Sequence, residues 1–462
     1  MSEASGPKDF GGVVPDLCLS ADLGPPRSEC GVGGLMPWAD RLWVVTYVSH
    51  KKGSGTGTGL YEVDGDFNIT RRPESHPGTY TNRFVHHESN QLIIGPHVID
   101  ADRNVRTVEE FFDVRVCSTF RHLEEPESKV YMLGMEGEFY EMDVDSLEAE
   151  QIADLNVELG INDEFRAHFK AGHCAFGRVV VANNTYHEED LLEGDGLGRL
   201  AEWDGREWRI LERTAFVEVT GRSEFAGTIF ATGMDRASAI LKVYTDDDGL
   251  WRSYRLPKGS HTYDHYWQTE WPRIRETEHE RFLMDCHGIF YQLSPWAYNE
   301  RVWGVLPIGR HLWVLGDFCS WRGLLVMGAD NASPSNGANP LTGEPQSGLW
   351  FGKTDDLWSF GKPAGWGGPW WETVVAAGEP SDPYLMTGFD KKVLHLTLHS
   401  GQTTTFEVQV DFRGDGDWRS YDSFTVAPDG YVHHEFPDAF SAHWVRLVAE
   451  HDCVATAQFA YT

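Results

Sequence analysis

The sequence predicts an all-β chain, and two observations carry that prediction. Glycine (48), proline (22) and tryptophan (18) are plentiful and aromatic residues make up 13%, which suits many short strands joined by tight turns better than long helices. Apolar runs closed by Asp or Gly also recur in couplets, as the arms of hairpins do.

The first runs of these couplets are RLWVVTYV (41–48), QLIIG (91–95), KVYMLG (129–134), RVVVANN (178–184), GTIFATG (227–233), RFLMD (281–285) and GLLVMG (323–328). The second runs are GLYEVDGD (59–66), HVIDADRN (97–104), EFYEMDVD (138–145), RLAEWDG (199–205), AILKVYTDDDG (239–249), GIFYQL (288–293) and GLWFG (348–352). A hairpin repeat of roughly 40–55 residues is the signature of a β-propeller, whose four-stranded blades bury their faces against one another. Seven couplets predict a seven-bladed β-propeller over residues 1–380. The aspartates that close several second runs, in Φ-x-Φ-D-x-D and WDG, read as turn formers. Residues 144–173 are too long for a turn and hold a short helical pattern before a basic, histidine-bearing end; long connections inside a compact repeat often carry function. After DDLWSFGKPAGWGGPWWETVV (355–375) the rhythm changes. Alternating runs such as KVLHLTL, TTFEVQVDF and HWVRLVA predict a small C-terminal β-module, sandwich-like, over 381–462 and packed on the propeller. The tryptophans between read as packing at the joint.

Lys and Arg total 39 against 71 Asp and Glu, a formal charge of −32. Such a surface repels phosphate backbones and argues against nucleic acid as a general partner. An anionic substrate would need a local basic pocket, and arginine, which supplies all but 11 of the 39 basic residues, is the side chain to build it. The seven cysteines are scattered and never spaced as CxxC, so neither a zinc knuckle nor a disulfide framework is expected. The N-terminus MSEASGPKDFGG lacks a basic stretch followed by an apolar one, and no apolar run approaches the ~20 residues of a membrane span. The expectation is a soluble chain, cytoplasmic or a processed secreted form, with no membrane partner.

No GxGxxG opens a helix, and neither a P-loop nor a GxSxG elbow is present. Asp246, Asp247, Asp248 and Gly249 have the wrong ligand spacing for a calcium loop. Histidines are the remaining signal. His86 and His87 are adjacent, so in a strand only one of them faces a central pocket. His168, His173, Tyr186 and His187 surround the fourth couplet; His261, His265 and His287 surround the sixth. Arg83, Arg166 and Arg222 stand just before inner strands and Arg199 opens a second run, where guanidinium groups can grip a carboxylate in bidentate fashion. Each has an ordinary alternative: a hydrogen-bonded structural histidine, or an arginine paired with a turn aspartate. Together, His, Tyr and Arg suggest β-elimination of a uronate. The C5 proton is too weakly acidic to leave unless Arg neutralises the carboxylate and stabilises the enolate-like charge. A His or Tyr then takes that proton and one of them protonates the departing O4, with no metal or organic cofactor required.

The stretches TYTNRFVHHESNQLIIGPHVID, RAHFKAGHCAFGRVVVANN, GRLAEWDG, FATGMDRASAIL, TEWPRIRE, SGLWFGKTDDLWSFGKPAGWGGPW and FSAHWVRLVAEHDCVATAQFAYT resemble seven-bladed propeller enzymes that act on L-rhamnose-α-1,4-D-glucuronate. These are the rhamnosyl-glucuronate lyases of polysaccharide lyase family 42 and the related rhamnosidases of glycoside hydrolase family 145, with ulvan lyases more distantly similar. The resemblance spans nearly the whole chain. It implies a lyase that removes terminal L-rhamnose from glucuronate in acidic polysaccharide, at a pocket on one propeller face. It implies His87 as the catalytic histidine with His86 as the alternative, Arg166 and Arg222 on the carboxylate, and Tyr131 lining the site. Arg83, His97, His173, Tyr186 and Arg199 would bind substrate. A structural calcium ion is compatible, since some relatives carry metal in the central channel. One departure is His97, where the family motif favours tyrosine after IGP. Lyases and hydrolases share the scaffold, so an α-L-rhamnosidase acting on the same linkage, or a propeller that binds acidic glycans without turnover, stays open, as does a protein-interaction scaffold.

Overall fold

A computed structural model describes residues 12–13, 19–20, 30–48, 59–76, 78–161, 167–185, 198–222, 227–259, 272–334 and 343–462. The chain is all-β, and it divides into two compact units, Met1–Asp154 with Trp313–Asp356, and Leu155–Leu312 with Leu357–Thr462.

Each couplet forms the second and third strands of a sheet, antiparallel to one another, and the strand before the couplet is the first of that sheet. In the first unit the order is plain in Arg83–His86, Gln91–Ile94, His97–Asp100 and Val105–Thr107, and the same order holds for the sheets that begin at Cys30–Trp38 and Val116–Arg121. The central runs read as unbroken apolar stretches because a strand covered on both faces has no solvent side; Gln91–Ile94 is buried at every position. The last sheet of this unit, Val314–Trp321, Leu324–Pro334 and Gly343–Gly352, is completed by the N-terminal Gly12–Val13, which pairs with Phe351 and Trp350. Core side chains such as Trp43, Ile93, Phe111 and Met132 pack in one cluster, and Val44, Trp321 and Phe351 in another.

The aspartates closing second runs are turn formers. Asp64 Oδ1 accepts the N–H groups of Asp66 and Asn68, both at 2.9 Å, and Asp100 Oδ1 does the same for Asp102 and Asn104. Asp143 and Asp204 repeat the arrangement. These local bonds replace a ladder partner at the bend and hold all four carboxyls below the ordinary aspartate pKa.

The second unit holds three further sheets, whose first strands are Phe169–Ala175, Ala215–Arg222 and Arg273–Glu278. The stretch 144–173, expected to be one long connection, instead holds the strand Ala149–Asp154, the helical turn Leu155–Glu158 and the start of the strand Phe169–Ala175. Residues 365–462 form two four-strand arrays around their own core of Leu394, Leu396, Phe406, Val408, Leu447 and Phe459. Lys392–Leu398 shows why the alternation was readable, since every second residue is buried. Its first strand, Gly365–Val375, begins ahead of residue 381. One array continues the sheet of Ala215–Arg222 through a single parallel bridge, Arg255 to Tyr384, and Arg255 fixes that join by pairing with Asp235 at 2.8 Å and Asp382 at 3.0 Å. The five cysteines with described side chains are buried. Among the described residues, no helix is long and apolar enough to cross a membrane.

Candidate functional site

In the first unit most of the expected site side chains already have structural work. His86 ends its strand and is wholly buried; its Nε2–H donates to the Pro126 carbonyl at 2.9 Å, and its Nδ1 accepts from the Ser89 hydroxyl at 2.7 Å. His87 does not continue the strand. It opens the turn 87–90 and is exposed, so the alternation expected to choose between the two histidines stops one residue short of it.

Arg83 sits at the other end of the same strand, with Nε donating to Asp317 Oδ2 at 2.7 Å. That aspartate is fully buried and also accepts the Leu35 N–H at 2.8 Å. The guanidinium therefore neutralises an internal acid, which corrects the expectation that it stands open to a substrate carboxylate. Four residues of strand span roughly 10 Å, so Arg83 and His87 do not belong to one small pocket. Tyr131 is 2% exposed, stacked on His122 at 4.2 Å and packed against Phe139 at 4.9 Å; it fills the interior instead of lining an opening. His97 is fully buried too. Nδ1 meets the Thr107 hydroxyl at 2.9 Å while Nε2 has no hydrogen-bond partner, and burial, aided by the nearby His76, lowers its pKa to about 3.

In the second unit, Arg166, Tyr186, His187, His261 and His265 lie outside the described residues. Arg199 is buried at the start of its strand, with NH1 donating to the Gly198 carbonyl and Nε to that of Leu159. His173 approaches Gly221, the residue that precedes Arg222 in its strand. His173 belongs to the first strand Phe169–Ala175, and its Nε2, inaccessible and unpartnered, stands 3.2 Å from the point a Cβ on Gly221 would occupy. Burial lowers this imidazole's pKa to about 4, so it is neutral at ordinary pH. Glycine is obligatory at 221, because a Cβ there would also lie 2.3 Å from the Thr228 carbonyl oxygen. The next residue, Arg222, ends its strand and has its side chain 21% exposed. Its one ionic neighbour among the described residues is Glu276 at 3.8 Å, beyond hydrogen-bond reach, so the N–H fork is available to a carboxylate.

Sequence reasoning missed a second cluster in this unit. His311 Nε2 donates to Asp285 Oδ1 at 2.8 Å, with both side chains 5% exposed and the imidazole stacked on Phe290 at 4.3 Å. Arg273 is the cross-strand partner of Asp285, and Arg275 pairs with the buried Glu218 at 2.9 Å. An acid inside the apolar run RFLMDC was the available signal, since an unpaired carboxylate is not left in a buried strand. Arg275 stands one position from Glu276 in the strand Arg273–Glu278, so this cluster and the Arg222–Glu276 contact share one strand. Among the described residues, no group of three or more His, Cys, Asp or Glu side chains is placed to hold a metal ion.

No protein family model matches the chain, and no curated protein matches it by sequence. Among solved structures it is similar to the β-propeller domain of Myceliophteria thermophila Cps50 (Swd1), at 10% identity over 74% of this chain and 98% of that one, with a TM-score of 0.40. It is similar also to U3-55K, at 9% identity over 72% of this chain and 98% of that one, with a TM-score of 0.41.

Proposed function

We propose that this chain is a seven-bladed β-propeller enzyme that removes terminal L-rhamnose from α-1,4-linked D-glucuronate in acidic polysaccharide by β-elimination. The observation that carries the reading is the open guanidinium of Arg222, next in the strand to Gly221, against which the unpartnered and neutral imidazole nitrogen of His173 packs. Elimination from a uronate needs these two things together. Arg222 takes the carboxylate and lowers the energy of the enolate-like charge at C5. His173 accepts the C5 proton, the electron pair left at C5 forms the 4,5-double bond as the C4–O4 bond of the glucuronate breaks, and the proton held on His173 passes to the departing oxygen, which leaves as the O1 hydroxyl of rhamnose. Neither group has to shed a strong partner first, which distinguishes Arg222 from Arg83.

The seven couplets and the sequence resemblance to rhamnosyl-glucuronate lyases support the same reading. Incubation with a gum-arabic-type glycan should release free rhamnose and raise an ultraviolet absorbance from the unsaturated uronate. Rhamnose without that absorbance would reassign the chain as a hydrolase on the same linkage, and saturable binding with neither product would make it a glycan-binding propeller.

A further inference from the structure

A cleft of about 180 Å³ opens in the second unit, where the turn at Glu300–Arg301 meets the loop after Thr404–Asp411. It is smaller than the ~300–1,000 Å³ of clefts that take drug-sized ligands and has the scale of one small ring. Tyr254 and Trp444, ring centroids 4.9 Å apart, are buried and form its apolar wall; Trp418, half-buried, adds a third ring to the lining. The Arg446 guanidinium covers one side of Trp418 at 4.1 Å, which fixes the indole in place.

The charges are arranged around one open cation. Asp411 would be the natural partner of Arg301, but its carboxylate is occupied by its own loop: Oδ1 accepts the N–H groups of Gly414 at 2.8 Å and Asp415 at 3.2 Å, and Oδ2 that of Gly416 at 2.7 Å. Glu300, 72% exposed, is drawn instead toward Arg252 at 3.7 Å. The Arg301 backbone pairs with Tyr298, but the Arg301 side chain makes no hydrogen bond or ion pair with any described residue. Its guanidinium lies flat against Gly416, where an added Cβ would come within 2.7–3.0 Å of it, so the glycine makes room for a flat cation at the cleft wall. In a chain of formal charge −32, a half-buried arginine that has found no acid is unusual.

We infer that this cleft is a second saccharide site that takes a uronate unit: the guanidinium of Arg301 grips the carboxylate in bidentate fashion and the indole of Trp418 supports the C–H face of the ring. The inference goes beyond the proposed elimination and does not depend on it. A glycan held here while another of its residues is processed would be retained through effective concentration.

The test uses the full chain, labelled with ¹⁵N at tryptophan indoles, with the Trp418 resonance identified by its loss in Trp418→Phe. D-Glucuronate should shift that resonance saturably with a dissociation constant in the millimolar range, while D-glucose and acetate bind at least about tenfold more weakly. Arg301→Gln should weaken glucuronate binding about tenfold or more, and Arg301→Lys, which keeps the charge and loses the fork, by less. Melting curves establish that both variants are folded. Equal shifts with glucose, equal shifts with acetate, no saturation, or unchanged affinity in a folded Arg301→Gln protein would each overturn the site. Loss of rhamnose release in the glycan assay leaves the Trp418 shift standing, so the two readings fail separately.

Discussion

Asp317 is buried to 0% exposure and binds Arg83 Nε at 2.7 Å, across 234 residues of chain. The pair joins the start of one sheet's first strand to the first strand of the sheet completed by the N-terminal segment. Removing only the cation takes the charged partner from a buried carboxylate, so Arg83→Met should cost about 3–5 kcal/mol of stability by urea unfolding. Arg83→Met with Asp317→Asn should recover part of that loss through their coupling. Turnover per folded molecule should not change. A folded Arg83→Met protein with lost activity would return Arg83 to the substrate.

That pair also shows where sequence reading stops. The couplets were legible because a strand buried on both faces is an unbroken apolar run, and the Asp-bearing turns because their hydrogen bonds are local. Arg83–Asp317 and Asp285–His311 depend on ladder register and on which strand lies beside which, and neither is written in the spacing of the residues concerned. The same limit explains the histidine pair: alternation was the right rule for a strand, but the strand ends at His86. His173 was visible as a histidine beside an inner strand, whereas its unused nitrogen required the close approach of Gly221.

His86 and His87 should separate cleanly under substitution. His86 fills a buried site with both ring nitrogens bonded, so His86→Ala removes packing and strands the Pro126 carbonyl, at a cost of about 2–4 kcal/mol. His87 stands exposed in a turn, and His87→Ala should move stability by no more than about 0.5 kcal/mol. Thermal melts of the two variants, with rhamnose release measured on each, check both statements. Loss of release in a stable His87→Ala protein would make the exposed imidazole the acting group.

His97 gives the fold an acid-side weakness. Its folded pKa of about 3 lies below the ~6.5 of an unfolded histidine, so the native state binds fewer protons across that interval. The contribution is whole above ~6.5 and is lost as pH falls toward the folded value. From pH ~6.5 to ~5 the loss from this residue alone should be about 2 kcal/mol. His97→Gln, which keeps a polar group for Thr107 and cannot titrate, should flatten the wild-type fall in urea-unfolding free energy over that range. Parallel curves for the two proteins would place the sensitivity elsewhere.

For catalysis the same kind of shift acts in the opposite direction. A general base works only when deprotonated, and burial lowers the pKa of His173 to about 4, so it stays available well below the range of a free imidazole. The acidic limb of kcat/KM for the elimination should therefore bend near pH 4–5, not near ~6.5. His173→Gln should lower kcat by roughly 10²–10⁴ and abolish that limb, because the group that titrates is gone. Arg222→Lys should act differently. It retains a positive charge and loses the fork that matches a carboxylate, so KM rises while the position of the limb stays where His173 sets it. Both variants should keep wild-type far-ultraviolet spectra. A limb near ~6.5 that survives in His173→Gln would assign proton abstraction to a different, solvent-exposed histidine.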